Sequence, residues 1–255
     1  MQALCADLAA EHAALDAVLE ATVDWDAPTP ADGWTIRDTV SHLWFFDQRA
    51  LLALTDPEAF ADGVAVLLER GVDASVEPGR AISPAELHAA WRRDRRALVE
   101  HATTVDPSTR VPWYGPAMGA RSFITARIME TWAHGQDIVD VVGADREPTA
   151  RLRHVAHIGV RARPYSYAVN GLELPDADVY VALDGPGGDR WEWGDPSAPD
   201  RVTGSALDFC LVVTQRRHLA DAALSIEGDL AAEWMAIAQA FAGSPGNGRA
   251  PLRGD

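Results

Sequence analysis

The chain has 255 residues, 47% of them hydrophobic, and a formal net charge of −16. That length holds one large domain or two smaller ones, and the composition is that of an ordinary globular protein. So acidic a chain is a poor partner for nucleic acid or an anionic bilayer, and no apolar run is long enough to span a membrane.

In chain order, residues 2–22 have the apolar spacing of an amphipathic helix, with Leu4, Leu8, Ala9, Leu15, Val18 and Leu19 on the inner stripe. A Pro- and Gly-containing loop leads to Trp34. Thr35 and Asp38 then form a capping box for a helix from Ile36 to about Leu54, whose core stripe is Ile36, Val40, Leu43, Phe46, Ala50 and Leu54. Short helical pieces follow from Asp56 to Leu68. A polar stretch, Glu77-Pro78-Gly79, separates them from Ser83-Pro84-Ala85-Glu86, a strong start for a helix running to about His101. A loop over 107–119 carries Trp113-Tyr114-Gly115-Pro116. The next helix begins near Ser122 and ends at Gly143.

Residues 148–163 read as one further helix, and beyond Pro164 the pattern changes. Residues 178–184 and 190–194 alternate about a glycine-rich turn, which predicts a hairpin. A short strand at 202–204, a helix over 206–219 capped by Ser205, a strand at 223–227 and a helix over 230–241 complete the chain. The expected organisation is a helical bundle over 1–148, a smaller α+β domain over 149–242, and a flexible tail over 243–255. Cys5 and Cys210 lie in apolar helical surroundings and read as reduced core residues. With no basic region, apolar stretch and cleavage site at the N-terminus, this makes the expected location cytoplasmic.

Glu130, His134 and Asp137 stand out on the helix after Ser122. At spacings of four and three they share one face of an otherwise largely apolar helix. Such groups need solvent, mutual pairing or a cation. On spacing alone, a surface contact is the commoner origin of a Glu-x-x-x-His pair. A third donor, His42, lies beside the core stripe of another helix. Two imidazoles and a carboxylate suit Zn²⁺ or another divalent transition metal with a coordination position left open. Trp34, Trp44 and Trp132 lie near in sequence, and Asp38 and Asp137 are candidate acceptors for imidazole N–H groups. His154 and His157 rank lower. His12, His88, His101 and His218 read as surface residues, and the arginine pairs at 92–93 and 95–96 as a solvated helix face.

Trp34-Thr-Ile-Arg-Asp-Thr-Val-Ser-His42-Leu resembles the first metal-ligand motif of the mycothiol-dependent maleylpyruvate isomerase family, within the DinB-like metal-binding four-helix bundles. Glu130-Thr-Trp-Ala-His134-Gly-Gln-Asp137-Ile is similar to that family's second motif. The stretch from Val202 to Arg217 is similar to the start of its C-terminal domain. The whole is most similar to an actinobacterial branch described only as metal-binding. The resemblance implies that His42, Glu130 and His134 hold the metal and that Asp137 lies in the site. It also implies that Arg216 or Arg217 binds an anionic group of the thiol cofactor or substrate. Where the family has Gly-Arg, this chain has Gln215-Arg216-Arg217, which leaves the matching arginine open.

The implied function is a metal-dependent isomerase or transferase, with mycothiol as co-substrate and a small electrophile as the second partner. The alternatives are a hydrolase or lyase without a thiol, and a non-enzymatic protein with a structural metal and a small apolar ligand held between domains. The sequence leaves both monomer and homodimer open.

Overall fold

The computed structural model of the chain describes residues 1–21 and 23–252. It is helix-rich with a small sheet, and falls into two compact units, Met1–Asp145 and Arg146–Asp255. Among the described residues no helix is long and apolar enough to cross a membrane.

In the first unit α1 spans Gln2–Leu19 and α2 Ile36–Thr55, followed by the short helices α3 (Pro57–Asp62), α4 (Val64–Arg70) and α5 (Glu77–Arg80). The helix α6 runs over Pro84–Ala102. A two-stranded ribbon, β1 (Arg110–Val111) and β2 (Met118–Gly119), precedes α7 (Ala120–Val142). Helix α2 packs on α6 and α7, and α1 packs on the same two. The expected capping box of Thr35 with Asp38 forms, and the helix start expected at Ser83 proves to carry a second one, with Glu86. The helix expected over 2–22 stops at Leu19, and Thr22 lies outside the described residues. Ala9 is exposed, and Cys5, Glu11 and His12 are buried on the inner face of α1 with the leucines.

The centre of this unit is ionic. Asp47 of α2 is fully buried and accepts hydrogen bonds from Trp91 Nε1 at 2.8 Å and Arg127 Nε at 3.1 Å, with Arg127 Nη2 2.9 Å away. Losing one partner of such a buried pair costs roughly 3–5 kcal/mol, because the remaining charge is left without compensation. His12 Nε2 lies 3.7 Å from the same carboxylate, and its ring meets Trp91 edge-on. His12 is therefore an interior residue and not the expected surface one. Arg95 also departs from the solvated-face reading: it is buried, lies over the Trp91 ring and pairs with Asp16. His88 bonds the same Asp16 at 2.8 Å.

The second unit opens with α8 (Leu152–Arg161) and α9 (Arg163–Val169). The helix expected over 148–163 is α8, shorter at both ends; α9 was not expected, and Pro164 starts it from the first turn, where a missing N–H costs nothing. Strands β3 (Tyr180–Asp184) and β4 (Arg190–Trp193) form the expected hairpin. Then come β5 (Arg201–Ser205), α10 (Ala206–Val213), β6 (Leu224–Glu227) and α11 (Asp229–Ile237). The sheet order is β4-β3-β5-β6, with β3 and β5 parallel and the outer pairs antiparallel. Helix α10 rests on α8 at Gly159, where a Cβ would come within 2.6 Å of Val213.

The helix expected over 206–219 ends at Val213. Gln215 N–H bonds Val212 O at 2.9 Å and Arg216 N–H bonds Leu211 O at 2.7 Å, with Gln215 at φ 59°. These are the two bonds of a Schellman stop with glutamine in the left-handed position usually taken by glycine. The expected tail from 243 has no helix or strand among its described residues. It is nonetheless tethered: Gln239 Nε2 bonds Ser244 O at 3.2 Å, and Leu252 N–H bonds Asp221 at 2.8 Å. Arg253, Gly254 and Asp255 lie outside the described residues.

Burial pushes the His12 imidazole down to about 4; Asp47 opposes this, and Arg95 and Arg127 add to it. An unfolded histidine titrates near 6.5, so the unfolded chain takes up the proton first and stability falls with pH below about 6.5. The wild type is expected to lose about 2 kcal/mol more between pH 7 and pH 5 than His12→Gln, measured by urea unfolding. Parallel pH profiles for the two would contradict a neutral buried His12.

Candidate metal centre

Each donor is placed by its helix. His42 lies in the second turn of α2, while Glu130 and His134 are one turn apart on α7. The packing of α2 on α7 closes the set: one ligand atom from each of the three residues lies within 4.8 Å of the others. His134 Nε2 is 3.4 Å from Glu130 Oε2, and the His42 and His134 ring centroids are 4.6 Å apart. His42 is buried, whereas Glu130 and His134 are only partly so.

The hydrogen bonds around the imidazoles select the nitrogens that face inward. The Ser75 hydroxyl donates its single proton to Val72 O at 2.6 Å. Its oxygen, 2.9 Å from His42 Nδ1, must then accept from that nitrogen. His42 thus carries its proton on Nδ1 and a lone pair on Nε2, the form that binds a metal. On His134, Nδ1 faces Asp137 Oδ2 at 3.6 Å, which leaves Nε2 toward Glu130. The donor set, the tautomer and the acceptor behind each imidazole all fit a divalent transition metal.

Asp137 thus sits where an acceptor was expected, but Asp38 does not. Its carboxylate is committed to Arg80 Nε at 2.7 Å and to the N–H of Thr35 at 3.0 Å. Burial opposes the Asp38 charge, yet Arg80 and Thr35 outweigh it and hold the carboxyl below its ordinary value. Trp34 packs against both imidazoles, at 4.9 Å from His42 and 6.1 Å from His134, with Nε1 donating to Asp73 at 3.0 Å. Trp44 instead turns toward α6 and donates to Asp94 at 2.7 Å. Trp132 is buried.

A 3-10 turn over Val72–Ser75 supplies both Asp73 and Ser75, and sequence reasoning did not single it out. It is clamped to α2 by Ser41, whose Oγ donates toward Ser75 O and Val76 O at 3.0 and 3.1 Å and accepts from Gly79 N–H at 2.9 Å. Gly79 approaches so closely that any Cβ would collide with Ser41, so the glycine is needed for the clamp. In the second unit, Arg216 lies at the end of the Schellman stop and donates to Thr214 O at 2.7 Å. His157 Nδ1 accepts from Trp193 Nε1 at 3.3 Å within the same unit. Cys5 and Cys210 are free and buried, and burial raises both thiols above their ordinary range.

Residues 8–139 match the family described as Mycothiol maleylpyruvate isomerase N-terminal domain. Two uncharacterized proteins of Mycobacterium tuberculosis, one from strain CDC 1551 and one from strain H37Rv, are each 47% identical over 249 residues, 96% of this chain and 97% of theirs. The crystal structure of the mycothiol-dependent maleylpyruvate isomerase superposes with a TM-score of 0.57 at 15% identity, covering 88% of this chain and 91% of that one. A histidine-to-alanine mutant of the isomerase gives 0.55 at 17%, covering 87% and 91%. At such identities the superpositions speak for the fold alone. The family match, which spans more than half of the chain, carries the assignment: the chain belongs to the mycothiol maleylpyruvate isomerase N-terminal domain family.

Proposed function

We propose that this protein is a metal-dependent enzyme that joins a low-molecular-weight thiol, mycothiol by family likeness, to a small electrophile, in isomerisation or transfer. The observation that carries this is the meeting of one donor atom each from His42, Glu130 and His134 within 4.8 Å, with Ser75 beside His42 Nδ1 and Asp137 beside His134 Nδ1. In this reading the first unit is a DinB-like four-helix bundle, and those three residues hold a divalent ion, Zn²⁺ being the best match to the donors.

When bound, such an ion supplies a position at which a thiol loses its proton near neutral pH. The chain's own residues do the rest. Ser75 and Asp137 fix the two imidazole orientations, so Asp137 acts as a positioning residue through His134. Trp34 covers one side of both rings and keeps water from that side. Of the two arginines, Arg216 takes the role of holding an anionic group, because Gln215 before it occupies a left-handed position, the conformation glycine adopts most readily. The chemistry is redox-neutral. The thiol sulfur bonds an electrophilic carbon as a carbon–carbon double bond becomes single. Rotation and loss of the sulfur then give isomerisation, while protonation of the neighbouring carbon gives transfer.

Purified wild type is expected to hold about one divalent ion per chain, and His42→Ala and His134→Ala to hold almost none. Ser75→Ala should weaken metal affinity roughly 10-fold, the usual cost of removing a group behind a ligand. Turnover of an electrophile with a conjugated carbon–carbon double bond should require added mycothiol. Full metal occupancy in both histidine variants would overturn the site. Turnover without thiol would replace the thiol reaction by a hydrolase or lyase.

A further inference from the structure

The face of α2 that carries His42 continues, one turn on, into Phe46, whose ring centroid is 4.7 Å from that of His42. Phe46 in turn meets Phe45 at 5.2 Å, Tyr114 at 5.7 Å and Trp113 at 6.0 Å. With Trp34 on the other side of His42, five large rings run outward from one candidate ligand, and each is partly exposed. Two of them, Trp113 and Tyr114, come from the β1–β2 ribbon, whose role the metal site does not explain. Trp113 keeps one face on the core, stacked on Phe60 at 5.5 Å and edge-on to Phe123 at 5.0 Å, and Tyr114 meets Phe60 at 5.3 Å. The part of each ring left exposed, continuous with Phe45 and Phe46 beside the candidate centre, makes a surface for a flat apolar group.

Charge points the same way. The cation in contact with this wall is Arg49, and it is already engaged: Nε donates to Tyr114 Oη at 3.0 Å and Nη2 to Phe60 O at 2.7 Å, with its guanidinium 4.8 Å over the Phe60 ring. Gly63 packs directly against that guanidinium, which leaves it no room to swing away. The second nearby cation, Arg80, is spent on Asp38. Beside the donors stand Asp137 and Asp73, on a chain whose net charge is −16. A small dicarboxylate would meet acids and committed arginines here, whereas an uncharged ring would meet four or five aromatic faces.

We infer that the electrophile used at this centre is built on an apolar planar ring or extended conjugated system seated against Phe46, Trp113 and Tyr114, and is not a small dicarboxylate. This deepens the proposed function, since it takes the wall to serve the same centre.

The test is a ligand-observed NMR titration of the full chain with 2-naphthol, uncharged and unreactive at neutral pH, and with fumarate as the dicarboxylate probe. Saturable 2-naphthol binding that fumarate does not displace is expected. It should weaken about fivefold or more in Phe46→Ala and in Trp113→Ala, with metal content unchanged. Thermal melting checks that each variant is folded, and Phe46→Leu, which keeps apolar volume but removes the ring, replaces Phe46→Ala if that variant does not fold. Tighter binding of fumarate than of 2-naphthol, or unchanged 2-naphthol affinity in both ring variants, would overturn the inference. Because 2-naphthol binding needs neither metal nor thiol, loss of the metal assignment and loss of the aromatic wall would be seen separately.

Discussion

The buried pair of Asp47 and Arg127 fixes how α2 lies on α7, and the candidate centre follows from that register. Five residues before Asp47 stands His42; three and seven residues after Arg127 stand Glu130 and His134. Contacts that move backward along one helix as they move forward along the other mean that the helices run antiparallel. At 1.5 Å per residue, His42 then falls at a height between the two α7 donors. An apolar seam alone would tolerate sliding by a turn, whereas a charge pair in a dry core tolerates very little. Trp91 extends the same restraint to α6 by donating to Asp47.

Around that register the protein adds a second layer of control. The 3-10 turn at Val72–Ser75 has no extended helix or strand of its own, yet it holds both His42 and Trp34. Its rigidity is borrowed from Ser41, the neighbour of His42 on α2, so ligand and supporting turn are fastened at one point. A serine behind His42 and a carboxylate behind His134 give the two imidazoles different environments. The aromatic wall beyond Phe46 completes the gradient, from charged donors to apolar rings within a few residues of α2.

Much of this was legible in the sequence, for identifiable reasons. The capping boxes at Thr35 and Ser83 and the glycine after Val142 are local signals, and they mark helix ends to within two residues. His42, Glu130 and His134 could be named because helical spacing and family motifs both single them out. What could not be read was set by distant partners. Asp38 resembled a support for His42 until Arg80, from a stretch that looked like a loop, claimed it. Ser75 carries no spacing signal at all. His12 looked exposed because nothing local shows that Asp47, from another helix, lies beside it. Gln215 concealed a helix stop because a left-handed residue other than glycine is uncommon. A charged residue within an apolar stripe, such as Asp47 or Arg127, was the available clue that the unit has an ionic centre.

The central claim is that two imidazoles and one carboxylate share an ion that keeps a place for a thiol. X-ray absorption spectroscopy at the zinc edge, on zinc-loaded protein before and after addition of mycothiol, tests it most directly. The account predicts a nitrogen and oxygen shell with scattering from two imidazoles, joined by one sulfur once the thiol is added. A shell that stays free of sulfur at saturating thiol would contradict it.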